Sequence, residues 1–427
     1  MCPPTDGQAP SQRAGELGFS DDFPWHVGVC DAHCHPTDTM ASIASVGGMR
    51  ARVLTIMATR SQDQELVAAV AADHGVTDQG WLSSPPSPSA GQAVEKVVPA
   101  FGWHPWFSYQ FYDDDAAEST SDLSEAAGAR KAKHYTAVLS PVPDADFISS
   151  LPEPQPLSGF IAETRQRLLA HPAAIVGEIG LDKAFRLPWG TAKPSEREEG
   201  LTPGGREGRM LSPYHVKMPH QVQVLKTQLR LAGELGRPVS VHGVQAHGVL
   251  YDAISSLWKG HEKEVVSRRK QKMVAAGAED FSSSEDEDED FDWGAEGDTE
   301  PQRTTKSKAL PKPYEPKPFP PRICLHSFSG PVQMLKQYLN PAIPARIFFS
   351  CSMVVNLATA GGESKFADVI RACPDDQLLV ESDLHTAGDE MDLVLEQMYT
   401  KVCQVKGWTL LEGVERIRNN YRDFIFG

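Results

Sequence analysis

A (β/α)8 TIM barrel carrying disordered insertions is the fold this sequence predicts, on three observations. Eight short apolar or β-branched runs alternate with stretches of helical periodicity, and such alternation implies a parallel sheet crossed by helices. Setting aside five polar or low-complexity spans leaves roughly 270 residues, close to the about 250 that such a barrel typically needs. Histidines and carboxylates stand at the carboxyl ends of the runs, where these barrels keep their active sites.

The runs at 27–31, 52–57, 97–102, 174–179, 238–242, 322–326, 346–350 and 377–382 read as strands, each short and rich in apolar or β-branched residues. The clearest helix is 221–235, where Val222, Leu225, Leu229, Ala232 and Leu235 share one stripe before Gly236 and Pro238 stop it. Further helices are expected at 62–74, 157–171, 331–339, 363–373, 389–405 and 410–424. The spans 1–26, 78–93, 112–135, 187–214 and 259–320 read as loops or disorder. Their charged, proline and small polar residues bury too little apolar surface to offset chain entropy. The expected organisation is a flexible N-terminus at 1–26 and one barrel over 27–427, interrupted at about 259–320 by an acidic and proline-rich insert.

Composition narrows the class. With 427 residues, 40% hydrophobic and 23% charged, the chain has the make-up of a soluble globular protein. No apolar run reaches the about 18 residues of a membrane span, and Met1 to Ser20 lack the pattern of a signal peptide. Seven cysteines, an odd number, suggest reduced thiols and a cytoplasmic or nuclear location. The net charge of −16 is uneven, because residues 279–300 hold twelve acidic side chains and no Lys or Arg. The acidity therefore says little about the barrel. It does not exclude a nucleic-acid substrate, since a metal site can supply positive charge itself.

The chemistry lies at the strand ends. The first strand leads into Asp31-Ala32-His33-Cys34-His35. Residues two apart on an extended segment face the same side, so His33 and His35 either grip one ion together or cap the strand. Glu178 ends the fourth run, His242 the fifth, His326 the sixth, and Asp383 follows the eighth. Singly, each suits a structural role. Together, four histidines and two carboxylates at one end of a barrel read as a metal site.

The blocks Asp31–Ala32–His33–Cys34–His35, Gly102–Trp103–His104–Pro105–Trp106, Gly177 to Asp182, Pro238 to His242, His326 to Gly330 and Glu381–Ser382–Asp383 resemble the TatD-related deoxyribonucleases of the metal-dependent amidohydrolase superfamily. The resemblance runs from residue 29 to about 424. The long insertions resemble a fungal-type branch, whose members carry names recording interaction with a subunit of the anaphase-promoting complex. The resemblance implies two divalent ions, with His33, His35 and Asp383 on the first, Glu178 bridging, and His242 and His326 on the second. Zn²⁺ or Mn²⁺ suits such nitrogen and carboxylate ligands, while Mg²⁺ prefers oxygen. It also implies DNA as substrate, Glu178 and Asp383 as catalytic groups with Asp383 as a candidate general base, and His104 as a substrate contact. Read from the residues, His104 is equally a turn histidine before Pro105. Glu381 either orients a ligand imidazole or is a plain strand carboxylate, and Cys34 is expected to point into the barrel wall.

Two departures from the family pattern stand out. Where the family usually has an arginine two positions after the fifth-strand histidine, this chain has Val244. Where a small residue and a proline usually follow the last aspartate, it has Leu384-His385-Thr386. The cage is intact, but the phosphate-receiving side chain is missing. Three readings therefore compete: a deoxyribonuclease, a hydrolase of another ester or amide on the same cage, and a cell-cycle adaptor with weak or no catalysis. In the insert, Ser282, Ser283 and Ser284 each precede an acidic residue by three, a kinase-like pattern or a plain solvated spacer. The proline-rich stretch at 311–321 is a candidate partner ligand.

Overall fold

Eight strands form one sheet in the computed structural model, and their spatial order equals their chain order. They are β1 (Cys30–Cys34), β2 (Val53–Met57), β3 (Val97–Phe101), β4 (Ile175–Asp182), β5 (Val239–Val244), β6 (Arg322–Leu325), β7 (Arg346–Cys351) and β8 (Leu378–Val380). Every neighbouring pair is parallel. The structure describes residues 18–77, 95–114, 127–190, 201–202, 205, 208–265, 314–358 and 362–427.

The sheet closes on itself just past the ends of the ladder. Asp383 N donates to His33 O at 3.0 Å and His35 N to Leu384 O at 2.8 Å. The Ser382 backbone and hydroxyl both donate to the Asp31 carboxylate. The result is a (β/α)8 barrel. Most strand residues are buried, as expected where helices cover the outside and side chains fill the inside. Among the described residues no helix is long and apolar enough to cross a membrane.

The helix Met218–Glu234 shows how the outer layer positions the site. Leu225, Leu229 and Ala232 are buried in the core, as the sequence stripe predicts. The same face also buries Gln221 and Gln228. Gln221 accepts from Asp182 N at 2.8 Å and donates to Asp182 O at 2.9 Å. Gln228 makes the equivalent pair with Trp103. Each amide thus satisfies a backbone group at the end of a barrel strand that would otherwise be buried unpaired.

Several sequence expectations shift. The first run slips toward the C-terminus, because Trp25–Val27 forms a 3-10 turn that ends at Gly28 with φ +106°. The fourth runs on to Asp182. After β1 the crossover is a 3-10 stretch, Met40–Gly48, in place of an α-helix. A helix unanticipated in the sequence, His247–Trp258, buries Leu250, Ala253, Ile254 and Leu257. The span 112–135 is not all loop, since Ala127–Val138 is helical. Its Tyr135 and Val138 pack with Tyr109, Leu139, Phe147, Leu187, Tyr214 and Val216 in a small core of their own, and Leu139–Ser140 pairs antiparallel with His215–Val216. The excursions after β3 and β4 therefore fold against each other.

At the N-terminal segment, the described part already packs, with Phe23 buried against Tyr399. The low-complexity insert also meets the barrel before its expected end: Phe319 is buried and Tyr314 Oη donates to Gly233 O at 2.5 Å. The serine and acidic run at 282–290 lies outside the described residues.

Candidate metal centre

Glu178, on β4, is the hub of the barrel mouth. Its two carboxylate oxygens face different histidines. Oε2 lies 3.4 Å from both His33 Nε2 and His35 Nε2. Oε1 lies 2.9 Å from His242 Nδ1, 2.9 Å from His326 Nε2 and 3.1 Å from His104 Nε2. Asp383 Oδ1 joins the first group, 3.5 Å from His35 Nε2 and 4.0 Å from His33 Nε2. All six sequence-predicted ligand candidates, and His104 with them, therefore meet at one place.

Close backbone approach makes this possible. Gly180 has φ +153°, and a Cβ there would collide with the His242 carbonyl oxygen. Glycine lets β4 press against β5 so that Glu178 and Asp182, four residues apart and on one face, both reach His242. Among the described residues, three non-glycine residues have positive φ: Gln245, Ser327 and Asp383. Each lies just past a barrel strand, at the mouth, the kind of place where backbone strain concentrates around function.

Outer hydrogen bonds set the tautomers. His33 Nδ1 is 2.9 Å from Ser240 Oγ, His242 Nε2 is 3.2 Å from Asp182 Oδ2, and His326 Nδ1 faces Glu381 Oε1 at 3.4 Å. With each outer nitrogen donating to its oxygen, each inner nitrogen is left facing Glu178, where a proton or, in its place, a cation joins the two. His104 is the reverse. Its Nδ1 accepts from Trp106 N at 3.2 Å, so its proton sits on Nε2 and points at Glu178. It offers a hydrogen bond rather than a lone pair.

Two ring nitrogens within hydrogen-bond range of each other need a proton or a cation between them. His33 Nε2 and His35 Nε2 are 3.1 Å apart, and His242 Nδ1 and His326 Nε2 are 3.2 Å apart. The ionisation of the cage tells the same story. Burial would raise the Glu178 carboxyl, but the surrounding His104, His326 and His33 hold it well below its ordinary range. Burial opposes charge on His35, yet the hydrogen bond to Asp383 and the charge of Glu178 lift it to about 9. His326 is likewise raised against its burial by Glu178 and Glu381. Asp383 is pulled to about 2 despite burial, chiefly by His35. Burial dominates at His104, which falls to about 4 and stays neutral. The cage thus draws positive charge inward, and its donor set of imidazoles and carboxylates fits divalent cations. The groups His33–His35–Asp383, His33–Glu178–His326 and His104–Glu178–His242 each gather ligand atoms within 4.8 Å of one another.

Sequence reasoning passed over three supporting residues. Asp182 accepts from Trp106 Nε1 at 2.6 Å and from the amides of Ala184 and Phe185, so its carboxylate is fixed before it meets His242. Ser240 supports His33, and Asp31 holds the seam. Strand parity could have found the first two: Asp182 shares a face with Glu178, and Ser240 with His242. Cys34 is buried, with its Sγ toward Thr55 O at 3.5 Å, and takes no part in the cage.

The family model described as TatD related DNase matches residues 30–425. The Cut9-interacting protein scn1 of Schizosaccharomyces pombe is 34% identical over 397 residues, 93% of this chain and 98% of that protein. The uncharacterized deoxyribonuclease YMR262W of Saccharomyces cerevisiae is 29% identical over 233 residues, 52% of this chain and 59% of that one. The crystal structure of YJJV, a TatD homolog from Escherichia coli, superposes with a TM-score of 0.46 at 15% identity, covering 93% of this chain and 96% of that one. With the family match spanning every barrel strand and every histidine of the cage, the chain belongs to the TatD-related DNase family.

Proposed function

We propose that this chain is a metal-dependent deoxyribonuclease that hydrolyses phosphodiester bonds with two divalent cations. The observation that carries this reading is the division of Glu178, one oxygen toward His33 and His35 and the other toward His242 and His326. A carboxylate so divided suits a bridge between two ions. His33, His35 and Asp383 would hold one and His242 and His326 the other, with Zn²⁺ or Mn²⁺ the better match to the nitrogen donors. Bound there, the cations would activate water and neutralise phosphoryl charge.

The chain's own groups do the rest. Asp383 is ionised and, at 14% side-chain exposure, less buried than Glu178, so its carboxylate is the one placed to take a proton from the attacking water. Glu178 fixes the spacing of the two halves. His104 keeps its Nε2 proton directed into the site, as a substrate contact requires. The family match supports DNA as the substrate class, and the chain would work in the cytoplasm or nucleus.

A second reading, an interaction protein of the cell cycle, is supported by the name of scn1, which records an interaction with Cut9. One experiment separates the two. Purified protein is loaded with Mg²⁺, Mn²⁺ or Zn²⁺ and assayed on labelled single- and double-stranded DNA beside Glu178→Gln. Cleavage by wild type and not by the variant supports the nuclease. Cleavage of other esters or amides alone moves the substrate. Equal activity of the two proteins removes the mechanism, and a protein that binds no metal favours the interaction reading.

A further inference from the structure

The excursion that follows β4 borders the barrel mouth at both of its ends. It leaves the barrel at Lys183, whose N donates to Val244 O at 3.1 Å. It turns on Asp182 Oδ1, which accepts from Ala184 N and Phe185 N, and Phe185 stacks on Trp106 beside the cage. Farther along, Leu201 bridges Thr39, and Thr202 N donates to Asp38 O at 2.8 Å. Asp38 in turn holds Arg60 Nη1 at 2.9 Å and His385 Nδ1 at 2.8 Å. The excursion therefore reaches from the His242 side of the cage to the turn just past His35.

Its charge is one-sided. Between Asp182 and Met218 the described residues include Lys183, Arg186, Arg209 and Lys217 and no Asp or Glu. Two of these cations close the fold. Arg209 donates to Gly190 O and Gly205 O, and Lys217 Nζ to Thr136 O and Ala137 O. The side chains of Lys183 and Arg186 are exposed and make no ion pair or hydrogen bond among the described residues. Trp189 follows, 44% exposed. Its ring is nevertheless held, with Phe147 and Tyr214 set against it at 88° and 71° and centroids 5.4 and 5.8 Å away. Its N donates to Met210 O at 2.9 Å. Unpaired cations that alternate with fixed aromatic rings are what a surface needs to follow a nucleic-acid strand, the cations at phosphates and the rings on base faces.

We infer that Lys183, Arg186 and Trp189 bind the substrate strand outside the cage, Lys183 and Arg186 at phosphates and Trp189 on a base. The inference rests on the phosphodiester reading. It places the phosphate-binding cations on the segment that begins at the backbone partner of Val244, the position that supplies none.

The test uses full-length protein loaded with Mn²⁺ and a labelled phosphorothioate-linked oligothymidylate, which resists cleavage. Binding is read by fluorescence anisotropy at rising salt. Lys183→Ala and Arg186→Ala should each weaken binding about threefold to tenfold and flatten the slope of log K against log salt by about 0.7. Trp189→Ala should weaken it about fivefold or more at unchanged slope, while Trp189→Phe keeps most of the affinity. An abasic strand should erase the difference between wild type and Trp189→Ala, which a merely structural role would not do. On a cleavable strand KM should rise in the variants, with kcat within about twofold and metal content unchanged. An unchanged salt slope in both cation variants, a Trp189→Ala loss that persists on the abasic strand, or no strand binding by wild type overturns the inference. Cleavage of DNA with KM unmoved in all three alanine variants overturns the strand contacts and leaves the nuclease reading standing. Binding through these residues without cleavage overturns the nuclease reading and leaves the strand contacts standing.

Discussion

The two sides of Glu178 are built differently. On the Oε1 side, His242 and His326 come from separate strands, and a carboxylate stands behind each imidazole: Asp182 for the first and Glu381 for the second. Trp106 walls this side, hydrogen-bonded to Asp182 and stacked on Phe185 with planes 10° apart. On the Oε2 side, His33 and His35 come from one strand, His33 is backed by a serine hydroxyl, and the rim carries the exposed His385. The walled side has its imidazole orientations fixed by charge. The other side is held by backbone closure and carries the exposed His385 ring at its rim. Charged partners on one side and backbone closure on the other thus support opposite oxygens of one carboxylate.

The largest effect tests what the two sides share. Glu178→Gln removes the charge that both histidine groups depend on. Metal content measured by mass spectrometry should fall for both ions, and kcat/KM on DNA should drop by at least about a thousandfold. Loss of one ion alone would break the picture of a shared hub.

The next contrast sets the sides against each other. Asp182→Asn should weaken metal affinity about tenfold to a hundredfold, the usual cost of removing a group that orients a ligand histidine. Ser240→Ala, on the other side, should cost less because a neutral hydroxyl is the weaker support. The Asp182 carboxyl, which burial would raise, is held near 2, chiefly by its bond to His242. A depressed carboxylate stabilises the fold above its unfolded value near 3.8 and loses that contribution as pH falls through about 2. The melting temperatures of wild type and Asp182→Asn should therefore converge on acidification from pH 5 to pH 2. A constant gap would mean that charge is not what Asp182 contributes.

A gain of function sharpens the same contrast. Val244 is the register partner of Asp182 and shares a face with His242 two residues before it. Val244→Arg would add a bidentate phosphate contact on the walled side, raising kcat/KM on DNA by about tenfold at unchanged metal content. Asp182 is already engaged by Trp106, His242 and two amides, so it competes weakly for the new guanidinium. No gain on any DNA substrate would argue against a phosphodiester.

The smallest expected signal is a proton count. Without a cation, His35 is lifted to about 9, so at pH 7 its proton must leave when a metal binds. Calorimetric titration in buffers of different ionisation heat should show net proton release at pH 7 that declines above pH 9. Absence of any proton release at pH 7 would count against His35 as a ligand.

All eight strands and the ligand candidates were legible in the sequence, because buried parallel strands are apolar runs and the chemistry follows them directly. What escaped depends on contacts between distant segments. β4 was read short because Gly177, Glu178 and Gly180 interrupt its apolar run, and only the close approach to His242 explains why it continues. The helix Ala127–Val138 buries few residues, and part of its small core, Leu187, Tyr214 and Val216, comes from the excursion after β4. His247–Trp258 was missed despite readable spacing, since its start is hidden among Gly243, Gln245 and Gly248. The buried glutamines of Met218–Glu234 look like surface residues until their backbone partners are seen. Asp38 and Arg60 are too far from His385 in sequence to suggest a contact with it.

The seam between β1 and β8 bears on how the protein is made. His33 and His35 leave the ribosome early, and Asp383 emerges roughly 350 residues later. At a synthesis rate of about 5–20 residues per second, the N-terminal half of the cage waits tens of seconds for its closing partner. During that interval β1 presents an unpaired edge, a template for wrong pairing. The nascent chain therefore cannot assemble the cage of Glu178, the four histidines and Asp383 until its last barrel strand has been translated.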